Sequence, residues 1–338
     1  MRQIKILTSG PHTSIQDFGR IGHQALGVPE GGALDKDSMR LANALVGNAP
    51  DQSVLEVCMG GLSFTVLDDC HIALTGTAKG QLTVQDETGI NLDVPSYRSI
   101  AIKKGRSVRL GMLPDSNAAV IAISGGIDVP LLYGSMATSP NAMIGGLNGR
   151  LLKDGDVLAL GHPPSTEDGE DRAEYQLSPV DDDTSSIRVV FGPQDSRFTD
   201  EAKSRLINDD YTLTPVLNRM GMRLDGPPLP HIDNADIPSD GIVKGSIQVP
   251  GNGIPIILLA DHQTTGGYTK IATVISADLP KLARMRPGEI LKFEAVDVET
   301  AEKIARAREE NLMRAIKSMM PAPPLVDTAA LYRLGDTT

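Results

Sequence analysis

The chain has 338 residues, enough for one large or two ordinary domains with sizeable cores. It carries 43 acidic against 32 basic residues, a net charge of −11, and has no Trp, which argues against binding a nucleic-acid phosphate backbone or stacking bases and so against a nucleic-acid partner. Cys58 and Cys70 form no CxxC pair and fit a reducing cytoplasm. Residues 1–10 lack a secretory apolar stretch, and the longest apolar run, 254–260, is too short to cross a bilayer, so no membrane contact is expected.

In chain order, short runs rich in Val, Ile and Leu, bounded by Gly, Pro, Asp or Asn, predict strands. They fall at 4–7, 62–67, 72–74, 99–102, 108–112, 119–123 and 157–160, then at 187–191, 246–249, 254–259, 273–276 and 290–295. Helices are fewer, at 35–45, 200–207, 278–283 and 297–319; Asp297 can cap the last and Pro321 stops it. With 34 Gly and 23 Pro, the pattern is mainly β, reading as barrels or sandwiches rather than alternating βαβ units. Residues 161–186 are acidic and aperiodic and read as a linker, dividing the chain into 1–160, 187–296 and a helix with tail at 297–338. The tail beyond Pro321 is weakly patterned and is expected to be partly mobile. Two short echoes across the linker suggest tandem related barrels: LLKDGDVLAL (151–160) with MRPGEILKFE (285–294), and GPHTSIQD (10–17) with GPQDSRFTD (192–200).

No GxxxxGK[ST], HExxH, GxSxG or paired Cys/His spacing occurs, so neither a phosphate loop nor a metal site is expected in this chain. Three segments remain. In the first, Gln16, Asp17 and Arg20 stand beside four close glycines; Asp17 and Arg20 are spaced either to pair and fix a loop or to meet a substrate. Gly31 and Gly32 suggest a turn needing positive φ before the first helix, and Asn43 and Asn48 suit bracing its end. The second, 124–150, is a Gly/Ser/Thr-rich excursion that reads as a long barrel loop, with an anion cradle as the sharper alternative. The third places Arg219 and Gln248 ahead of ADHQTTGGY, which sets Asp261, Gln263, Thr265, Gly266, Gly267 and Tyr268 at the end of an apolar strand. Asp261, Gln263 and Gln248 suit holding an amide as catalytic groups. Gly266 and Gly267 could bring N–H groups to an oxyanion; the plainer alternative is a hydrogen-bonded turn that organises the barrel.

The segments IQDFGRIG, GVPEGGALD, LANALVGN, NRMGMRL, GSIQVPGNGIPI and ADHQTTGGY together resemble the allophanate hydrolase subunit 2 family, also described as biotin-dependent carboxyltransferase-like, from residue 4 to residue 296. Its members include C subunits of ATP-dependent 5-oxoprolinases, which the chain resembles most, an antagonist of a sporulation kinase inhibitor, and part of the carboxyltransferase region of urea carboxylase. The resemblance implies two tandem cyclophilin-like β-barrel domains. It also implies a complex with a B-type subunit, a further A-type subunit, and ATP-dependent opening of a small lactam, 5-oxoproline, to glutamate. ATP is expected to be shared with or held by the partner subunits, and no biotin-attachment sequence is present. Carboxyl transfer to urea and non-catalytic regulation are the alternatives. Three positions depart from the family's usual residues: Met136 (commonly Arg), Lys244 (commonly Pro) and Thr269 (usually Pro). If the usual Arg binds a carboxylate, Met136 cannot replace it, and Lys244 is a cation that could compensate. Lys244, Lys270 and Arg219 are the candidate phosphate partners.

Overall fold

The computed structural model describes residues 2–85, 91–163, 172–180, 182 and 184–325. Residues 164–171, 181 and 183 of the acidic stretch, and the tail from 326 onward, lie outside the described residues. Arg2–Thr8 sits in a six-stranded sheet, paired on one side with Val157–Leu160 and on the other with Ser63–Val66. A five-stranded sheet faces it, with Val54–Cys58 between His12–Gln16 and Ala118–Ile123. Their inward side chains, among them Ile4, Ile6, Leu55, Phe64, Ile72 and Ile121, form one core.

The second half is an eight-stranded sheet that closes on itself. Its two edges are Ile290–Leu291, paired with Tyr211–Asn218, and Phe293–Ala295, paired with Ile187–Phe191. These edges are one segment interrupted only by Lys292, whose carbonyl accepts from Ile187 N at 2.7 Å. Closure removes exposed edges. It encloses a second core that includes Phe198, Tyr211, Met222, Ile247, Ile257 and Phe293.

The first sequence echo corresponds to a repeated turn. Gly155 and Gly288 both have φ of +89°, and in each turn the acid that follows the glycine closes it: Asp156 N donates to Lys153 O and Glu289 N to Arg286 O, both at 3.1 Å. In each, the acid's backbone carbonyl then takes a strand N–H, from Ile6 at 2.8 Å and from Leu213 at 2.9 Å. The second echo holds only at its glycine. Gly10 and Gly192 both have positive φ, but the chain continues as strand His12–Gln16 in one case and as a 3-10 turn, Asp195–Arg197, in the other.

Four helices decorate the sheets. Helix α1 (Lys36–Val46) is capped by Asp35, whose carboxylate accepts from Ser38 N, and ends at left-handed Gly47. It buries Met39, Ala42 and Leu45 against Val54, Ala73 and Val120. Helix α2 is Asp200–Asn208 and helix α3 is Leu279–Arg284. Helix α4 (Val298–Lys317), capped by Asp297, inserts Leu312 into the α1 cluster, together with Leu177 from the described part of the acidic stretch. That part is not a free tether: Glu174 pairs with Arg98 at 2.9 Å, and Asp182 meets both Arg284 and Arg308. No described helix is long and apolar enough to cross a membrane.

Candidate functional site

The hairpin joining Tyr211–Asn218 to Gly221–Asp225 carries Arg219 into the seam between the two sheet systems, where it is 3% exposed. Its Nε and Nη2 donate to Asp261 Oδ2 and Oδ1 at 2.9 and 3.0 Å; Nη2 also donates to Gly32 O at 2.7 Å and Nη1 to Glu56 Oε1. Glu56 in turn accepts from Leu34 N at 2.6 Å. One guanidinium thus ties the closed sheet to the N-terminal one. The two carboxylates raise its pKa against the opposing effect of burial, so it stays charged. Asp261, expected to hold substrate, is here the bidentate partner of this cation. Glu56 escaped the sequence reading, although a lone acid inside the apolar strand VLEVC was its visible signal.

Gly31 and Gly32 adopt φ of +65° and +81°, as the turn required, and bring the first segment to the same seam. Gly31 N donates to Ala260 O at 3.0 Å. Asp17 does not pair with Arg20. Its carboxylate accepts from Gly19 N (2.7 Å), Ser135 Oγ and Met136 N (both 2.6 Å), pinning the long loop. Asp17→Ala leaves three donors without their acceptor and is expected to cost about 1–3 kcal/mol, read as a lowered urea midpoint. Arg20 is fully buried, with Nη2 bonded to Ala137 O and Nε and Nη1 without a protein partner. Gln16 donates to Ser14 Oγ and Thr138 O, leaving its Oε1 unpartnered. Asn48 braces the helix end as expected, donating to Asn43 Oδ1 and Ile123 O and accepting from Gly125 N.

The ADHQTTGGY segment becomes a hairpin arm, Thr265–Tyr268, paired with Asp236–Gly241. Gly266 stands opposite Asp240 in extended conformation, and Gly267 follows it in the same strand, so the two glycines form no anion-holding turn. Their value is steric at Gly266: a Cβ there would come within 2.6 Å of Ile242 Cδ1 and 2.8 Å of Gln248 Nε2, with Gln263 Nε2 at 3.6 Å. The missing side chain therefore lets two amide groups gather at one point. Gln248 is 3% exposed and its Nε2 has no protein partner; Gln263 is exposed beside it, as are Thr265 and Tyr268. Lys270 is engaged elsewhere, fixing the arm through Asp240 Oδ2 at 3.0 Å.

Lys244 donates from Nζ to Ala33 O (3.3 Å) and Leu34 O (3.1 Å) and lines a cleft of about 440 Å³ with Phe18, Glu30, Lys36, Val243 and Leu279. Burial, then the Lys36 charge, lowers its pKa to about 8. On the other side of Arg219, a smaller pocket of about 120 Å³ is lined by His12, Cys58, Asn117 and Leu217. Burial and then the Arg219 charge hold His12 below its usual range, while Glu56 and Asp261 pull the other way. The folded pKa lies below the unfolded one, so the stability this neutral imidazole contributes is present above about pH 6.5 and is lost as pH falls through the folded value. His12→Leu is expected to reduce the decline in melting temperature between about pH 6.5 and 5, measured against the wild type.

Two β systems, one of facing sheets and one closed, are thus sealed by one buried arginine beside a cleft. The chain belongs to the family described as carboxyltransferase domain, subdomain A and B, which it matches over residues 26–295. It is similar to the C subunit of 5-oxoprolinase from Escherichia coli (strain K12), 36% identical over 303 residues that cover 89% of this chain and 93% of that protein. The corresponding protein of Haemophilus influenzae is 34% identical over 306 residues, covering 90% and 95%. Among solved structures, the K. lactis urea amidolyase superposes with a TM-score of 0.82 at 27% identity; 92% of this chain is covered, but only 20% of that longer one.

Proposed function

We propose that this chain is the C-type subunit of an ATP-dependent 5-oxoprolinase, opening the lactam of 5-oxoproline to glutamate together with A-type and B-type subunits. The observation that carries this reading is end-to-end correspondence: the chain accounts for 93% and 95% of the two bacterial proteins, against a fifth of the urea amidolyase. Carboxyl transfer to urea is the second reading, favoured by the TM-score of 0.82 to that amidolyase.

The chemistry fits the paired amides. A lactam presents one carbonyl acceptor and one N–H donor in cis, and a primary amide side chain complements both. Gln248 Nε2, buried and without a protein acceptor, suits the carbonyl oxygen as it gains negative charge; Gln263, exposed at its side, suits the ring N–H or the incoming end of the substrate. Thr265 and Tyr268 flank the opening on the same arm, and Gly266 keeps the space clear. Asp261 acts as a positioning residue that holds Arg219 and the seam. Asp17, with Arg20 and Gln16, orders the neighbouring loop.

Lactam resonance makes unassisted hydrolysis slow, and ATP supplies activation of the carbonyl oxygen by phosphorylation. The three candidate cations are already engaged. Arg219 is held by two carboxylates and a carbonyl, Lys270 by Asp240, and Lys244 by two carbonyls. The N-terminus of α1 is already capped by the Asp35 carboxylate. We therefore assign ATP to the partner subunits. Purified A-type and B-type subunits mixed with this chain should release glutamate from 5-oxoproline only with ATP present, and omission of this chain should abolish release. Undiminished release without it overturns the assignment.

A further inference from the structure

We propose that Lys244 is a carbamate-forming lysine: its amine, held between two backbone carbonyls on the wall of the inter-sheet cleft, adds carbon dioxide. A neutral primary amine has two N–H bonds and one lone pair. Both donors are taken by Ala33 O and Leu34 O, at 3.3 and 3.1 Å, so the lone pair points away from the backbone. Of the basic side chains lining the cleft, Lys36 pairs with Glu30 at 3.0 Å and Arg40 with Glu309 at 2.6 Å, whereas Lys244 has no carboxylate partner among the described residues.

Lys36 and Arg219 oppose a positive charge on Lys244, while Glu56 and Glu30 favour one; with burial added, the balance brings the amine to about 8. Cations that resist the ammonium stabilise the anion that replaces it. Asp37 and Arg40 are the remaining charged groups of the cleft. Lys244 is half-buried, so a small neutral electrophile reaches it. At pH 8 the free-amine fraction is on the order of 100 times that of an ordinary lysine.

The step balances without a redox partner. The Nζ lone pair attacks the carbon of CO2, an N–C bond forms as one C=O π bond becomes C–O⁻, and one proton leaves Nζ for water. The product is a planar anion in a cleft that lacked one at this position. Lys244 is not among the groups assigned to the lactam, so the reaction is independent of that assignment.

The test uses the full chain. Protein equilibrated with 13C-labelled CO2 and bicarbonate at pH 8 should show a carbamate resonance in its carbon spectrum, and alkyl trapping followed by peptide mapping should place the label on Lys244. Lys244→Arg, with an unchanged melting temperature, should lose that resonance. Mapping needs only the wild-type chain, so it decides the matter even if the variant misfolds. No carbamate on the peptide containing Lys244, or a resonance that persists in Lys244→Arg, overturns the proposal. Loss of glutamate release from the reconstituted complex, with the carbamate intact, counts against the lactam assignment alone.

Discussion

Arg219→Met should destabilise the chain by about 3–5 kcal/mol, because it strands two buried carboxylates rather than one exposed pair. Glu56 and Asp261 are 1% and 4% exposed and both face the guanidinium. Without it, each is left as an uncompensated carboxylate in a dry seam. The loss is not only electrostatic: Gly32 O loses its donor, and the turn that carries Gly31 keeps only the Gly31 N–Ala260 O bond of the two described to the second half. Arg219→Lys is expected to recover only part of the stability, since one ammonium lacks the planar fork that meets Asp261 with two parallel bonds. Equilibrium urea unfolding of wild type and both variants measures this. A shift under about 1 kcal/mol for Arg219→Met would mean that the seam does not depend on this cation.

Gln248→Leu should separate function from stability. Its Nε2 is buried without a protein partner, so an apolar side chain of similar size removes a desolvated donor and leaves stability unchanged or slightly improved. If that donor meets the lactam oxygen in the transition state, its loss lowers turnover by about 10²–10³-fold in the reconstituted assay. Full activity in Gln248→Leu, with an intact melting transition, would remove Gln248 from the site. The same comparison on Gln263, which is exposed, is expected to raise KM more than it lowers kcat.

Much of the architecture was legible because strand periodicity and turn chemistry are local. The strands 99–102, 157–160 and 187–191 carry their bounds in sequence, and Asp297 marks a helix start through a side chain that accepts from Thr300 N. Strands with polar or interrupted composition were missed. His12–Gln16 is HTSIQ, and four of its five residues are buried. Val54–Cys58 contains Glu56, and Tyr211–Asn218 contains Pro215 at a register shift. In each, tertiary pairing satisfies what the local pattern could not advertise. The predicted strand 273–276 begins earlier, at Lys270, because that buried lysine finds Asp240 on the hairpin arm.

The site was legible in its residue types but not in its pairings. ADHQTTGGY announced a dense polar strand end, yet Asp261 turned out to be bound to Arg219, 42 residues away, and Gly266 and Gly267 lie in a ladder rather than a turn. Likewise Asp17 and Arg20, three positions apart, serve different partners on the loop at 135–137. Ion pairs across long sequence separations depend on closure of the second sheet and its docking on the first, and no local motif encodes that. Gln248 and Gln263 remain as a pair because the absence of a Cβ at Gly266 leaves room for both.

The most direct measurement presents the assembled complex with both candidate substrates side by side. Expected is ATP-dependent glutamate from 5-oxoproline without any biotin carrier, and no carboxylation of urea even when a carboxylated biotin carrier is supplied. Biotin-dependent carboxylation of urea, with no glutamate from 5-oxoproline, would contradict the assignment.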